Sequence, residues 1–479
     1  MEFNSFAFLL FFLGVLLAYQ ATPNRWKSGL LLMASLAFYG HWNPLFLAVL
    51  FSVATTAYFA GVAMDRSPSK RGQIMAVAVI AILLILGVFK YALFLSNSFL
   101  FLLGDTLSNE AVHRLDALLP IGISFYSFQA LSYIVDVKQG KVKVEHNPTT
   151  LGLYLAFFPQ ILAGPIERPA SLMPQLKGLH ALRASHVLPG LKRMLWGFAC
   201  KLLVADQLAP LVDGVFADLT GHGGITILLA TYLFGFQIYF DFLGYTHIAM
   251  GAAQVLGIAL SRNFNRPYQA HSLRDFWHRW HITLSQWFRD YLYIPLGGNR
   301  TSFQRHALAI LAVFALSGLW HGAAWTFVIW GGLHGGIYLM ELVMRRWGNG
   351  ATLALRIPRF WRQVATFNVV MVLWLPFRSD STTELGTAVH QILSNPFLQQ
   401  GTAEEMLHLV HGNGGLLIAI LALLIAALIL DSRNAIERFI QRPLAHRATT
   451  GELLIWDAIL ILLLLMGDLG GSQFVYFRF

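Results

Sequence analysis

The chain has 479 residues, of which 56% are hydrophobic and 12% are charged, and its mean hydropathy is +0.58. Because a soluble domain usually contains roughly 25% charged residues, this composition excludes a soluble protein, a disordered chain and a coiled coil. The net charge of +10 does not indicate nucleic-acid binding, because the basic residues lie in short loops between apolar runs. The single cysteine, Cys200, excludes an intramolecular disulfide. The sequence therefore predicts a polytopic membrane protein.

Apolar runs close to the length of a membrane-spanning helix, about 20 residues, recur along the whole chain. Several neighbouring runs are short or merge, so we predict eleven to twelve transmembrane helices. The first run lacks a basic n-region and a cleavage site, and we interpret it as a first span, not a signal peptide. The candidate spans are residues 3–19, 29–43, 44–64, 73–95, 118–137, 194–216, 225–247, 307–328, 329–344, 364–378, 415–430 and 453–470.

Two stretches do not fit a simple span. Residues 151–175 are interrupted by prolines and glycines, and residues 262–306 mix aromatic residues with seven arginines. Non-helical backbone at membrane depth is tolerated only where it is buried in protein or lines a cavity. We therefore predict that both stretches are re-entrant or interfacial elements.

The distribution of Lys and Arg predicts the orientation. Most of the 34 basic residues lie in alternate loops, whereas the loops at 96–117, 217–224 and 379–414 contain almost none. The positive-inside rule places the basic loops in the cytoplasm. The N-terminus and the 379–414 loop are then outside. The larger basic clusters lie at 164–193, 262–305, 345–362 and 433–447.

Polar residues inside apolar segments are costly and suggest function. Asp275, His278 and His281 are spaced i, i+3, i+6, so they would share one face if the segment were helical. Such a face could bind zinc, but the familiar helical pair is spaced i, i+4 and no further His or Cys ligand is evident nearby. We therefore favour no metal, and a metal-dependent membrane hydrolase is a weaker alternative.

His321 lies within the apolar run 307–328 and has two interpretations. A lone membrane histidine most often hydrogen-bonds a neighbouring helix. Here Gly318 and Gly322 flank it, and small residues let another backbone or a substrate approach closely. A neutral imidazole can also take a proton from a hydroxyl, which favours a general base.

Asp241 also lies in an apolar run and has no basic neighbour in sequence, so we expect a hydrogen bond between helices. Intramembrane His and Asp residues together with broken segments are also typical of a transporter or channel. The absence of an inverted repeat in the sequence disfavours that alternative.

Several blocks of the sequence resemble the membrane-bound O-acyltransferase (MBOAT) family, and within it the branch that O-acetylates alginate. The resemblance extends over the whole chain, and the blocks at 276–300 and 317–335 are highly specific. The matching blocks are LPIGISFYSFQALSYIVDV (119–137), YLAFFPQILAGPIERP (154–169), QIYFDFLGYTHIAMG (237–251), NFNRPY (263–268), FWHRWHITLSQWFRDYLYIPLGGNR (276–300), SGLWHGAAWTFVIWGGLHG (317–335) and FVYFRF (474–479).

The resemblance implies one all-α membrane domain over residues 1–479, in which a ring of helices surrounds a thin centre. It implies that His321 is the catalytic histidine and that His281 is the second important polar residue. His281 would position a thioester or stabilise the oxyanion that develops on it. As residues that would hold the acyl donor, we select Arg279, Trp280, Arg289 and Asn299 from the 276–300 block.

The implied reaction moves an acetyl group from a cytoplasmic thioester, acetyl-CoA, across the bacterial inner membrane. The acceptor would be an extracytoplasmic polysaccharide, with alginate as the leading candidate. The implied partners are a separate extracytoplasmic transferase of the SGNH type, or another polysaccharide-modifying protein, and membrane lipid. Neither a nucleic acid nor a metal is expected.

Overall fold

A computed structural model describes residues 1–103, 119–162, 164–347, 357–396, 402–409, 413–432, 435–440, 450–469 and 474–475. All regular elements in these ranges are helices, which confirms the predicted all-α fold. The chain divides into two compact units. Unit 1 comprises Met1–Met194 and Thr246–Ser261, and unit 2 comprises Leu195–Tyr245 and Arg262–Phe479.

Unit 1 contains the N-terminal helices, and several begin at sequence signals for helix starts. Asn43 and Asn147 each precede a proline, and each side chain accepts a hydrogen bond from a backbone N–H in the first turn. The helices are α1 (Phe6–Ala21), α2 (Lys27–Gly40), α3 (Pro44–Arg66), α4 (Arg71–Leu86), α5 (Ala92–Leu102), α6 (Ile123–Lys138), α7 (Pro148–Ala156), α8 (Pro169–Lys177) and the greater part of α9 (Ala184–Phe198).

The stretch 151–175 is broken as predicted, because α7 ends at Ala156 and α8 begins at Pro169. Buried polar groups bond the intervening backbone. The Tyr154 hydroxyl donates to the Glu167 carbonyl oxygen over 2.9 Å. The Glu167 carboxylate accepts hydrogen bonds from both the backbone N–H and the hydroxyl of Ser261. The position of this stretch relative to a membrane remains a prediction.

Unit 2 contains the remaining helices, including most of α11, which continues into unit 1. The 262–306 stretch is here divided into short helices joined by turns. The helices are α10 (Asp206–Ala217), α11 (Gly224–Val255), α12 (Leu273–Trp277), α13 (Ile282–Phe288), α14 (Phe303–His321), α15 (Trp325–Trp347), α16 (Arg359–Arg378), α17 (Thr382–Ser394), α18 (Thr402–His408), α19 (Gly414–Ser432), α20 (Ala435–Ile440) and α21 (Thr450–Met466).

Glycines allow α14 and α15 to pack in close contact. A Cβ atom on Gly318 would lie 2.2 Å from the carbonyl oxygen of Phe327, and one on Gly331 would lie 2.3 Å from that of Phe314. Both distances are far below van der Waals contact. The small residues near His321 therefore admit a neighbouring helix, which is one of the two purposes that the sequence suggested.

Seven helices of the described part are long and apolar enough to cross a membrane, and α1 and the 454–466 part of α21 are shorter apolar helices. The chain is thus a multi-pass membrane protein, while the total of eleven to twelve spans stays a prediction. The seven are 44–66, 68–100, 184–217, 224–255, 303–321, 325–346 and 414–432. Parts of the predicted features lie outside the described residues: 104–118, 163, 348–356, 397–401, 410–412, 433–434, 441–447, 470 and 476–479.

Candidate active site

His321 lies at the end of a helix and not inside a span. The prediction of one continuous span over 307–328 is wrong, because α14 ends at His321 and α15 begins at Trp325. Gly322 has extended backbone angles, which terminate α14. The chain then reverses direction within three residues. This reversal places the imidazole at a helix end, where the backbone leaves the regular hydrogen-bonding pattern.

The His321 side chain is buried, with 3% of its surface exposed, among aromatic rings. Its ring centroid lies 4.9 Å from that of Trp320, 5.1 Å from that of Trp330 and 5.4 Å from that of Phe377. The His281 ring lies 6.4 Å away, centroid to centroid. The fold therefore brings together the two histidines that the sequence singled out, although they are 40 residues apart.

His281 lies between two short helices, in the left-handed backbone region with φ of 41°. Its side chain is fully buried, and its Nδ1 atom lies 3.2 Å from Oδ1 of Asn263. Two backbone hydrogen bonds join residues 263–265 to residues 279–282. Ile282 N donates to the Asn263 carbonyl oxygen (2.8 Å), and Asn265 N donates to the Arg279 carbonyl oxygen (2.9 Å). Burial lowers the pKa of His281 to about 3, so the ring is neutral at physiological pH.

The shared face predicted for Asp275, His278 and His281 does not exist, because α12 ends at Trp277. Asp275 instead accepts a bond from Arg279 Nε over 2.8 Å and lies 3.1 Å from His271 Nδ1. Burial raises the pKa of Asp275, but the hydrogen bonds and the Arg279 charge outweigh it and leave the pKa below its usual value. His278 is exposed. Among the described residues, no three His, Cys, Asp or Glu side chains form a possible metal site.

The four residues selected to hold the acyl donor do not form one group. Trp280 is fully buried and packs against Trp374, with ring centroids 4.9 Å apart. Arg279 is paired with Asp275, and Arg289 is exposed with its Nε 2.8 Å from Asp290 Oδ1. Asn299 is exposed in a turn. Trp280 is thus part of an aromatic cluster next to His281 in the chain, and a role for each of the four residues in donor binding remains a prediction.

Sequence reasoning missed the partner of Asp241. Lys201 lies in a π-helical turn at Ala199–Ala205, and its Nζ is 2.7 Å from Oδ1 of Asp241 and 2.8 Å from Oδ1 of Asp206. The backbone N–H of Val475 also donates to Oδ2 of Asp241 over 2.8 Å. The expected hydrogen bond between helices is therefore an ion pair. A lysine inside the predicted span 194–216 was the signal that could have revealed it.

Unit 2 contains a cavity of about 420 Å³, and two of its lining residues pack against Trp280, the residue that precedes His281. Tyr239 and Tyr268 belong to its wall, and their rings are 6.0 and 6.2 Å from that of Trp280. The Tyr239 hydroxyl donates to Oδ2 of Asp431 over 2.8 Å. The remaining wall is mostly apolar: Phe236, Arg266, Pro267, Gln269, Phe367, Ile425, Leu428, Ile429 and Ser432.

Comparisons with known proteins find one family model and several similar sequences. Residues 135–376 match the sequence model of MBOAT, the membrane-bound O-acyltransferase family. The chain is 38% identical to a protein named probable alginate O-acetylase AlgI from Azotobacter vinelandii, over 80% of this chain and 76% of that protein. It is 34% identical to the peptidoglycan O-acetyltransferase of Helicobacter pylori, over 78% and 76% of the two chains. The teichoic acid D-alanyltransferase of Bacillus subtilis is 27% identical over 63% of this chain and 76% of that protein.

Proposed function

Because this chain belongs to the membrane-bound O-acyltransferase family and is an O-acyltransferase, we propose that it takes an acetyl group from acetyl-CoA. The donor is used on the cytoplasmic side of the bacterial inner membrane, and the acetyl group leaves on a hydroxyl presented from outside. Family membership decides between acyl transfer and the alternatives of a transporter or a metal-dependent hydrolase. The two relatives named as O-acetylating enzymes support acetyl as the group transferred.

The observation that carries this proposal is the pair of buried histidines. The two rings, one at the end of α14 and one in the turn between α12 and α13, have centroids 6.4 Å apart and almost no exposed surface. A neutral imidazole next to a second one can accept and then donate a proton in a site where charge is poorly solvated. Both side chains are buried, so substrates reach them only when neighbouring aromatic rings move.

In the proposed reaction, His321 takes the proton of the acceptor hydroxyl as its oxygen attacks the thioester carbonyl carbon. A carbon–oxygen bond forms, the carbon–sulfur bond breaks, and the departing sulfur receives the proton from His321. The products are an acetyl ester and a free thiol, and the imidazole returns to its neutral form. His281 acts on the thioester, either by positioning it or by stabilising the oxyanion.

The acceptor in this proposal is a polysaccharide outside the membrane, and alginate is the first candidate because of the names of the most similar relatives. A separate extracytoplasmic transferase of the SGNH type is the proposed partner in this modification. The basic loops are cytoplasmic and the N-terminus is outside, as the Lys and Arg distribution predicts. The two compact units act as one functional domain, since the family match at 135–376 includes residues of both.

The test combines cells and membranes. Deleting the gene should remove O-acetyl esters from the extracellular polysaccharide, and the wild-type gene should restore them. Membrane vesicles with the cytoplasmic face outward should transfer radiolabelled acetyl groups from acetyl-CoA to material that releases the label in mild alkali. Normal ester content in the deletion strain, or vesicles that leave acetyl-CoA intact, would refute the proposal.

A further inference from the structure

One oxygen atom organises the surroundings of His281. Oδ1 of Asn263 lies 3.3 Å from the backbone nitrogen of Thr283 and 2.8 Å from its hydroxyl oxygen. A backbone N–H can only donate, so the side-chain atom that faces it must be the amide oxygen and not the amide nitrogen. The orientation of the Asn263 side chain is therefore fixed by Thr283.

This orientation determines which nitrogen of His281 carries the proton. Nδ1 lies 3.2 Å from the same Asn263 oxygen, which can only accept, so Nδ1 must be the donor. A neutral imidazole has one N–H and one lone pair, and the lone pair is then on Nε2. Nε2 is buried and has no hydrogen-bond partner among the described residues.

The backbone of His281 adopts a conformation that is costly for a residue with a side chain. In the part of the chain that the structure describes, only Arg266 and His281 combine positive φ with a side chain other than hydrogen. Strained backbone of this kind persists only where its surroundings enforce it, and it clusters at functional sites. A buried acceptor without a partner is also unfavourable, which points to a ligand that supplies a hydrogen.

We propose that Asn263, held by Thr283, is a positioning residue that makes His281 Nε2 a hydrogen-bond acceptor for an amide N–H of the acyl donor. This inference rests on the proposed function and decides between the two roles left open for His281. An oxyanion has no hydrogen to donate, and a lone pair would repel it, so His281 positions the thioester. The acceptor hydroxyl is not the partner, since its one proton goes to His321.

The chemistry of the donor fits this assignment. The pantetheine arm of coenzyme A has an amide N–H two carbons from the thioester sulfur. A donor with this N–H satisfies Nε2, whereas one with an oxygen at that place leaves the lone pair of Nε2 facing another lone pair. His281 would thus select for an amide close to the reacting sulfur.

Two small donors test the inference, because they differ only at this group. S-acetyl-N-acetylcysteamine has the amide N–H, and S-acetyl-O-acetyl-2-mercaptoethanol has an ester oxygen in its place. With the wild-type protein in vesicles, kcat/KM for acetyl transfer should favour the amide by about tenfold or more, as expected for a buried acceptor left without its donor. Asn263→Leu should bring the ratio close to one.

Two further variants separate positioning from folding. Asn263→Asp keeps an oxygen that accepts from Nδ1 and should retain the preference for the amide donor. Thr283→Val removes the hydroxyl but keeps the backbone N–H that orients Asn263, and it should also retain the preference. Size-exclusion chromatography of each variant shows whether it folds.

The outcomes separate this inference from the proposed function. Equal use of the two donors by the wild-type protein overturns the inference, and this measurement needs no variant. A preference that survives in folded Asn263→Leu overturns the role of Asn263. Failure of the wild-type protein to use acetyl-CoA itself refutes the proposed function instead.

Discussion

Lys201 and Asp241 form a buried ion pair, with Nζ 2.7 Å from Oδ1, 3% of the lysine side chain exposed and none of the aspartate. Asp206 is a second partner of the lysine. The ammonium of Lys201 offsets the charge of Asp241 in a region of low dielectric constant, where either group alone would be poorly tolerated. The pair joins α11 to the π-helical turn at Ala199–Ala205.

We predict that Lys201→Met lowers the stability of the protein by about 3–5 kcal/mol, because it leaves Asp241 buried and unbalanced. The double variant Lys201→Met with Asp241→Asn should recover part of this loss. Thermal unfolding in detergent and the yield of folded protein measure both. Equal destabilisation by the single and double variants would show that the unbalanced charge of Asp241 does not cause the loss of stability.

His321→Ala should reduce acetyl transfer by about 10²–10⁴-fold, the usual contribution of a general base, while the protein still inserts and accumulates. His334→Ala is the matched control, since His334 is also buried, with 1% of its surface exposed. The control loses similar packing and should keep most of its activity. Near-normal transfer by His321→Ala would make His321 a structural residue.

Acid should destabilise the protein in part through His281. Its pKa is lowered to about 3, so between about pH 6.5 and pH 3 the unfolded chain binds a proton there that the folded protein does not. The stability contributed by neutral His281 is thus present above pH 6.5 and is lost as the pH falls, by about 1.4 kcal/mol per pH unit.

His281→Asn should flatten the dependence of the unfolding temperature on pH between pH 7.5 and pH 5. His278→Asn, at an exposed position of the same segment, serves as the control and should leave the slope unchanged. An unchanged slope in His281→Asn would mean that this histidine does not stay neutral in the folded protein.

Two adjacent glycines in α15 test the packing of α14 against α15. Gly331→Ala should destabilise the protein by about 1–3 kcal/mol, because the new Cβ would lie 2.3 Å from the carbonyl oxygen of Phe314. Gly332→Ala meets no atom within 4 Å and should be neutral or slightly stabilising, since alanine favours a helix. Similar unfolding temperatures for the two variants would contradict the close approach.

Cysteine labelling tests the orientation. Cys200 is buried and can be replaced by alanine. A cysteine at the exposed position Gln286 should react with a thiol reagent restricted to the cytoplasmic side, and one at the exposed position Thr383 should react from outside. The reason is the cost of moving the neighbouring arginines across the membrane, about 3 kcal/mol each at its centre. Reversed labelling would invert the topology.

The sequence by itself determined the class of the protein and its two principal histidines. Apolar runs of sufficient length can only be helices in a membrane, because every backbone polar group must be satisfied within the segment. His281 and His321 were selected because burying a polar imidazole in an apolar segment costs free energy and therefore suggests a function. The motifs around them identified the family, which the comparisons then established.

Only the tertiary structure decided how these residues are presented. The end of α14 at His321, the left-handed turn at His281 and the pairing of Asp241 with Lys201 depend on contacts between residues distant in sequence. The condition that 275–281 is one helix is not met for the same reason, since this segment ends its helix at Trp277 and bonds to 263–265. Local sequence patterns show which residues are apolar. The position of the proton on His281 instead follows from its contact with Oδ1 of Asn263, which is distant in sequence.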